Sequence, residues 1–439
     1  MKKKFEKKQP FACPFFCAAC LYGTKTNFIP LMVEFQIADV SVSVVSPHSA
    51  WQQALQGDFP AALWRLPKTD TKHFLCGNTP EPRTLKIDFE ELPMGFAISP
   101  FLNPTGEASL FIEGDVYMKF NASNHLVADT NAQRMIASIE QARPVYAPLQ
   151  GKRTPTTTEV NTEAAKHTYE ALVQKATEAI KAEWMQKVVL SRPKYIELPD
   201  GFNAPLAFDA LCQAYPTAFV SLVYLPHLNQ MWLGATPETL VSQDENGLFK
   251  TVSLAGTQAA LDANGQPIAL KNAQWTQKEI EEQALVSRYV IGCFKKIRVR
   301  EYHEEGPKTV VAGNVMHLRT DYCVDTNEIN FPQLGTVMLE LLHPTSAVCG
   351  MPKAAALGFI ADNEVYNREF YSGFLGPVNV ENATNLFVNL RCMKIEANVG
   401  TLYAGAGITE DSNPAREYNE TELKTQTLLR ILKDAGLVE

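Results

Sequence analysis

The sequence predicts an α+β protein built on antiparallel sheets, and three observations carry that prediction. Short β-rich runs outnumber helical stretches, the runs come in clusters, and the clear helical stretches sit far apart along the chain. A doubly wound fold would instead alternate strand with helix throughout.

Taken in chain order, residues 1–9 are Lys-rich and 11–22 apolar, a pattern resembling a secretory signal, but no A-x-A cleavage site follows. The expectation is a poorly ordered extension over 1–31, with Met32 as an alternative start. Cys13-x3-Cys17-x2-Cys20 has the spacing of a cluster-binding loop, yet such a loop follows a barrel strand, and here it lies in a basic terminus. Residues 32–160 read as an N-terminal structural part of the same unit. Phe35 to Val45 is β-rich, and Ser109 to Phe120 forms two runs around Glu113-Gly114-Asp115, which predicts a hairpin. The Pro- and Thr-rich stretch 144–162 reads as a linker.

From 161 onward the chain carries its chemistry. Tyr169, Leu172, Val173, Ala176, Ile180 and Trp184 recur at three and four, so 163–184 is predicted helical and leads into a strand at 186–192. A second helix is predicted over 277–297, opened by the capping box Thr276-x-x-Glu279. A third, over 414–435, starts at Asn413-Pro414 and stops at Gly436. Between them lie β runs at 219–224, 231–234, 238–243, 248–254, 309–318, 373–379, 385–395 and 400–404.

Composition excludes several classes of function. The chain has 439 residues, a formal net charge of −8 and no basic block beyond the first eight residues, so nucleic acid is not an expected partner. No run of 18 apolar residues exists, so no membrane span is expected. Nine scattered cysteines, an odd number, suggest a reducing compartment and a cytoplasmic location.

Lys187 heads the apolar strand Lys187-Val-Val-Leu-Ser-Arg192. It is either a solvated edge charge or, pointing inward, a general base. Glu238, in Gly234-Ala-Thr-Pro-Glu238, is either a surface carboxylate or, buried, a general acid with a raised pKa. Glu279/Glu282 and Glu417/Glu420 each put two carboxylates on one helix face. Capping explains Glu279, and the helix dipole explains Glu417. Glu282 and Glu420 have no such reason. Glutamates from two helices suit a hard cation such as Mg²⁺. A di-iron site would need Glu-x-x-His, and Leu285 and Leu423 stand where the histidines would be. Arg391 is a candidate carboxylate fork, and Gly405-Ala406-Gly407 could bring backbone amides to an anion or simply mark a bulge. His317 and His343 are, singly, as compatible with structural as with catalytic roles.

Together these segments resemble the chorismate-utilising enzymes, most of all the isochorismate synthase branch that serves menaquinone or siderophore synthesis. Besides the strands and helices above, the resemblance rests on Ser253-Leu-Ala-Gly-Thr257, Leu342-His-Pro-Thr345, Phe370-Tyr-Ser-Gly373, Leu390-Arg391 and Glu417-Tyr-Asn-Glu-Thr-Glu-Leu-Lys424, in order over about 165–435. It implies an α+β unit whose antiparallel sheets and surrounding helices enclose a buried site, with 161–439 as the chorismate-binding catalytic region. Lys187 would activate water for attack on C2 of chorismate, and Glu238 would protonate the departing C4 hydroxyl. Glu282 and Glu420 would hold Mg²⁺, with Glu279 and Glu417 positioning its waters. Arg391, Tyr371 and the amides around Gly405, Ala406 and Gly407 would grip the enolpyruvyl carboxylate, and Gly256, Thr257, His343 and Lys424 would line the pocket.

Other branches compete. The aminodeoxychorismate branch typically carries Lys where this chain has Ala255. The anthranilate branch commonly has Gln in place of Lys187 and takes ammonia from a glutaminase, so no obligatory glutaminase subunit is expected here. Salicylate synthases share the Lys but tend to carry Thr at the position of Ala347. A catalytically silent binding subunit would have no reason to keep Lys187, Glu238 and four carboxylates together.

Overall fold

The computed structural model describes residues 45–141, 163–262, 266–312 and 315–439. The β-rich run before Val45, the three N-terminal cysteines and the linker at 144–162 therefore lie outside the described residues. Among those described, the helices are α1 (Pro47–Gln56), α2 (Gln133–Gln141), α3 (Glu163–Lys181), α4 (Ala204–Ala214), α5 (Gln277–Lys296), α6 (Leu334–Leu342), α7 (Lys353–Asn363) and α8 (Pro414–Asp434). The strands are β1 (Ala61–Arg65), β2 (Lys72–Cys76), β3 (Arg83–Leu85), β4 (Gly95–Ser99), β5 (Ser109–Glu113), β6 (Val116–Phe120), β7 (Leu126–Thr130), β8 (Lys187–Glu197), β9 (Phe219–Leu225) and β10 (Gln230–Thr236). They continue as β11 (Thr239–Gln243), β12 (Leu248–Ala259), β13 (His303–Ala312), β14 (Val315–Asp325), β15 (Gly350–Met351), β16 (Phe374–Val378), β17 (Thr384–Val388), β18 (Cys392–Glu396) and β19 (Val399–Ile408).

Two antiparallel sheets organise these strands, one in the order β15-β8-β19-β18-β10-β9-β1-β2-β6-β7, the other β13-β14-β12-β11-β17-β16-β4-β5-β3. They face each other through Trp64, Leu75, Phe96, Ile98, Phe219 and Phe387, where the Phe219 and Phe387 rings stack with centroids 4.1 Å apart. Strand periodicity explains the layering. On β1, Ala62 and Trp64 point into this inter-sheet layer, while Ala61 and Leu63 pack with α1, α4 and α8 on the outer face. Helices α3, α5, α6 and α7 close the other apolar cluster.

The helices predicted at 163–184, 277–297 and 414–435 form as α3, α5 and α8, and the capping box of Thr276 and Glu279 closes as expected. Helices α4, α6 and α7 are short and largely apolar, and in runs of that length periodicity does not separate helix from buried strand. The predicted hairpin at 109–120 does not form. β5 pairs with β3 and β4 in one sheet, β6 with β2 and β7 in the other. The Glu113-Gly114-Asp115 turn thus carries the chain between sheets, and a Cβ on Gly114 would sit 3.0 Å from both Leu75 and the Met94 carbonyl. The run at 309–318 is likewise two strands, β13 and β14, and the run at 385–395 divides into β17 and β18, which belong to different sheets.

The crossings between sheets position the site. Pro237 and Glu238 join β10 of one sheet to β11 of the other, and Asn389 to Arg391 join β17 to β18. Arg391 takes a left-handed φ of 49°, uncommon for a residue with a side chain. No helix among the described residues is long and apolar enough to cross a membrane.

Candidate active site

Lys187 points inward. It is 0% exposed at the head of β8, and its Nζ donates to Glu282 Oε1 at 2.8 Å. Room for this pair exists because β19 carries Gly407 beside it. A Cβ there would lie 2.5 Å from Glu282 Oε1 and 3.0 Å from Lys187 Cε. Glu282 also accepts the Gly256 amide at 3.3 Å. That amide is free because the β12–β14 pairing shifts register between Ala255 and Gln258, a bulge in which Gly256 adopts φ 68°. Burial pushes the Glu282 carboxyl up, but Lys187, Lys424 and Lys278 outweigh it and hold the group below the usual carboxylate range.

Glu238 is buried, and its environment differs. Its amide and carbonyl bond to the Thr236 hydroxyl and the Val388 amide, while its carboxyl has no hydrogen-bond partner among the described residues. Burial pushes it up to about 7 despite the opposing pull of Lys187, Arg391, Lys424 and Arg319. A carboxyl near 7 holds a proton it can deliver at neutral pH. Glu238 and Glu282 line one pocket, and Lys187 stands behind Glu282, bonded to it.

Arg391 is the pocket's buried cation without a carboxylate partner among the described residues. It is held by the Thr427 hydroxyl at 3.1 Å and His317 Nε2 at 3.2 Å. The tautomer of His317 follows from its partners. Nδ1 lies 2.6 Å from the Gly256 carbonyl, which can only accept, so Nδ1 carries the hydrogen and Nε2 receives the Arg391 N–H. Burial, then the adjacent Arg391, push the imidazole down to about 3, so it stays neutral. Its partners place His317 at the site, a role that a lone histidine in a strand run does not announce.

Backbone geometry adds free amides to the same wall. Ser191 donates its amide to Glu364, and Val189 donates to the Cys349 carbonyl, so neither amide bonds to β19. Their partners in register are Gly405 and Gly407. The amides of those two glycines therefore also point away from β8, because opposed residues in an antiparallel ladder either exchange both bonds or neither. Ala406, between them, buries its side chain in the apolar core and offers nothing to the pocket beyond the strand that carries its neighbours. Tyr371 lines the same space and stacks on Tyr403 with centroids 5.1 Å apart; Thr257 and Ala347 line it as well.

The four expected metal ligands divide. Glu282 pairs with Lys187, Glu417 with Lys278 at 2.5 Å, and Glu420 with Lys424 at 2.7 Å; the Lys424 ammonium also donates to the Gly405 carbonyl. Glu279 instead accepts from the Thr276 amide and hydroxyl, so capping occupies its carboxylate. Among the described residues, no three histidine, cysteine or acidic side chains converge as a ready metal site. The donor set nonetheless suits a hard cation. Burial and the neighbouring Glu420 push Glu417 upward against the pull of Lys278, and Lys278 itself feels Glu417, Glu420 and Glu282 together. Three glutamates from α5 and α8 thus surround one ammonium. His343 is a correction: it lies outside this pocket and lines a separate cavity, its Nε2 donating to the Pro100 carbonyl at 3.0 Å. The residue that fills the expected histidine's place is His317.

The crossings between two large antiparallel sheets thus bring a buried acid, Glu238, and an arginine without a carboxylate partner, Arg391, to one pocket, with buried Lys187 bonded to Glu282 on its wall. The chain belongs to the chorismate binding enzyme family, whose model matches residues 108–433. It is 29% identical over 271 residues to the isochorismate synthase EntC of Escherichia coli K12, covering 60% of this chain and 66% of that relative, just under two thirds of its length. Identity to the isochorismate synthase MenF of the same organism is 28% over 310 residues, covering 69% of this chain and 67% of that one. The solved structure of the E. coli menaquinone-specific isochorismate synthase MenF superposes with a TM-score of 0.66 at 21% identity, over 88% of this chain and 91% of that chain, which establishes the shared fold.

Proposed function

We propose that this protein is an isochorismate synthase, converting chorismate to isochorismate by addition of water at C2 with loss of the C4 hydroxyl. The observation that carries the reading is a buried Glu238 carboxyl near 7 lining the same pocket as Glu282, behind which buried Lys187 lies close enough to act on Glu238 electrostatically. Allylic displacement of hydroxide by water needs a base at one carbon and an acid at the leaving oxygen, which are the two groups supplied. In its neutral amine form, which a cation bound beside it would favour by like-charge repulsion, Lys187 would orient the water and take its proton, while Glu238 would protonate the C4 hydroxyl as it leaves. The substrate is a dianion, and the Arg391 N–H groups not given to Thr427 and His317, together with the outward-facing amides of Gly405 and Gly407, would receive one carboxylate. Glu282 and Glu420, with Glu417 beside them, would hold Mg²⁺, which would supply charge neutralisation for the second carboxylate that the lysines cannot supply while paired with those glutamates. Glu279, occupied at the helix cap, would bear on such a cation only through that position.

Lys187 favours water over ammonia, so no glutaminase partner is required. Ala347 offers no hydroxyl to hold the enolpyruvyl arm in the bent geometry that pyruvate elimination needs, which supports release of isochorismate over conversion to salicylate. Six described cysteines, none in a disulfide, support a cytoplasmic setting. The test is incubation of the purified protein with chorismate and Mg²⁺, with products resolved by chromatography. Isochorismate without pyruvate or aminated product is expected, and loss of turnover in excess chelator accompanies it. Stoichiometric pyruvate or salicylate would overturn the assignment, and full activity in chelator would overturn the metal.

A further inference from the structure

A second cavity, of about 630 Å³, opens beyond the loop that begins at His343. It is within the size range of small-molecule sites, and its walls are mainly apolar, from Ile87, Phe101, Leu102, Leu339, Leu357 and Phe374. The loop contributes His343 and Pro344 to this cavity and Ala347 and Val348 to the catalytic pocket, so the two spaces share a segment and no side chain.

Its charge is uncompensated. Lys353, the first residue of α7, reaches the cavity and donates to the His343 carbonyl. Burial holds its ammonium below the ordinary lysine range, and its titratable neighbours are the thiols of Cys349 and Cys293, which burial pushes up, and Lys296, none of them a carboxylate. The contrast with other shielded lysines is sharp: Lys72, Lys187, Lys194, Lys278, Lys394 and Lys424 each pair with an acidic side chain. At the rim, Glu340 is already paired with Lys86 at 2.5 Å, and it does not reach Lys353. The imidazole of His343 is neutral, since burial and Lys353 push it down to about 3. The start of α7 adds to the positive field, because its N-cap is Pro352 and no side chain caps its free amides.

We propose that this cavity binds a small ring-bearing monocarboxylate, with its carboxylate on Lys353 and the first amides of α7 and its apolar body between Phe101, Phe374 and Leu357. The charge fixes one end of the ligand and the walls fix the other. A simple inorganic anion would leave the apolar walls bare, and a neutral aromatic would leave Lys353 unpaired.

The experiment uses the full chain and 4-trifluoromethylbenzoate as the probe, followed by ¹⁹F NMR titration. Saturable binding is expected, with 4-trifluoromethylbenzyl alcohol and sulfate each binding at least tenfold more weakly. Lys353→Met should weaken the probe at least tenfold. Ala354→Trp, at an exposed position on the cavity wall, should do so by filling the space without touching the core, which keeps the test valid if Lys353→Met folds poorly. Arg391→Ala should leave probe binding unchanged, because it removes the carboxylate site of the catalytic pocket alone. Equal binding of the alcohol, retention of binding in Ala354→Trp, or loss of binding in Arg391→Ala would each overturn the assignment, independently of whether chorismate is the substrate of the first pocket.

Discussion

Residues 45–141 and residues 163–439 supply strands to the same two sheets, yet they bury different chemistry. β1 pairs with β9 and β4 with β16, so the two regions are continuous in hydrogen bonding. In the first, β1 and β4 are buried along their whole length by residues such as Leu63, Trp64, Phe96 and Ile98. The buried cation there, Arg65, donates its two terminal nitrogens to the carbonyls of Leu66, Tyr215 and Pro216, the last two at the C-terminus of α4, where a positive charge is favoured, while its Nε has no partner among the described residues. In the second, Lys187, Glu238, Arg391 and Glu417 are buried, and Glu238 and Arg391 have no charged hydrogen-bond partner. Buried charge of that kind is costly to a fold, so its concentration where the strands cross between sheets is what the proposed function puts to use.

The largest expected effects would separate the regions by activity. Lys187→Ala and Glu238→Gln should each lower kcat on the order of 10²–10⁴-fold, the range for removing a general base or acid, with far-ultraviolet dichroism unchanged. Near wild-type turnover in either variant would return that residue to a structural role. Conversely, Trp64→Ala in β1 should cost about 3–5 kcal/mol of unfolding free energy in denaturant titration while activity per folded molecule is retained. A kcat loss as large as that of Lys187→Ala would show that the apolar region takes part in the chemistry.

Glu238 also sharpens the contrast through pH. Its folded-state value of about 7 lies above the ordinary 4.5, so the folded protein binds this proton more tightly than the unfolded chain. Its contribution is therefore most favourable below about pH 4.5 and is lost as pH rises through 7. Glu238→Gln removes that dependence, so the variant should gain thermal stability relative to wild type between pH 5 and pH 8, as it loses activity. The wild-type kcat should fall above about pH 7 as the acid deprotonates. A stability difference that does not grow with pH would contradict the burial argument. The smallest effect belongs to Glu279→Ala, about 0.5–2 kcal/mol in stability from the lost cap, with a milder loss of turnover than Glu282→Ala.

Much of this contrast was legible in the sequence because it rests on local signals. Thr276 and Glu279, Asn413-Pro414 and the heptad-like spacing after Glu163 mark the three helices that frame the site, and Lys187 and Glu238 stand out as charges inside apolar or turn segments. What was not legible depends on partners far along the chain. Glu113-Gly114-Asp115 has the local form of a hairpin turn, and its use as a crossing between sheets is decided by where β5 and β6 find partners. The apolar run through 385–395 hides a break at Arg391 for the same reason. His343 and His317 are indistinguishable as isolated histidines in apolar runs; the bulge at Gly256 and the position of Arg391 bring His317 to the pocket, while the Pro100 carbonyl holds His343 in the other cavity.

The most direct measurement of the central claim is turnover of chorismate with Mg²⁺ in H₂¹⁸O, with mass analysis of the isochorismate formed. If Lys187 delivers a water to C2 while Glu238 releases the C4 oxygen, each product molecule gains one ¹⁸O, located at the C2 hydroxyl. Unlabelled isochorismate would mean that the oxygen migrates within the substrate, and would contradict the assignment of Lys187 and Glu238 as base and acid on separate oxygens.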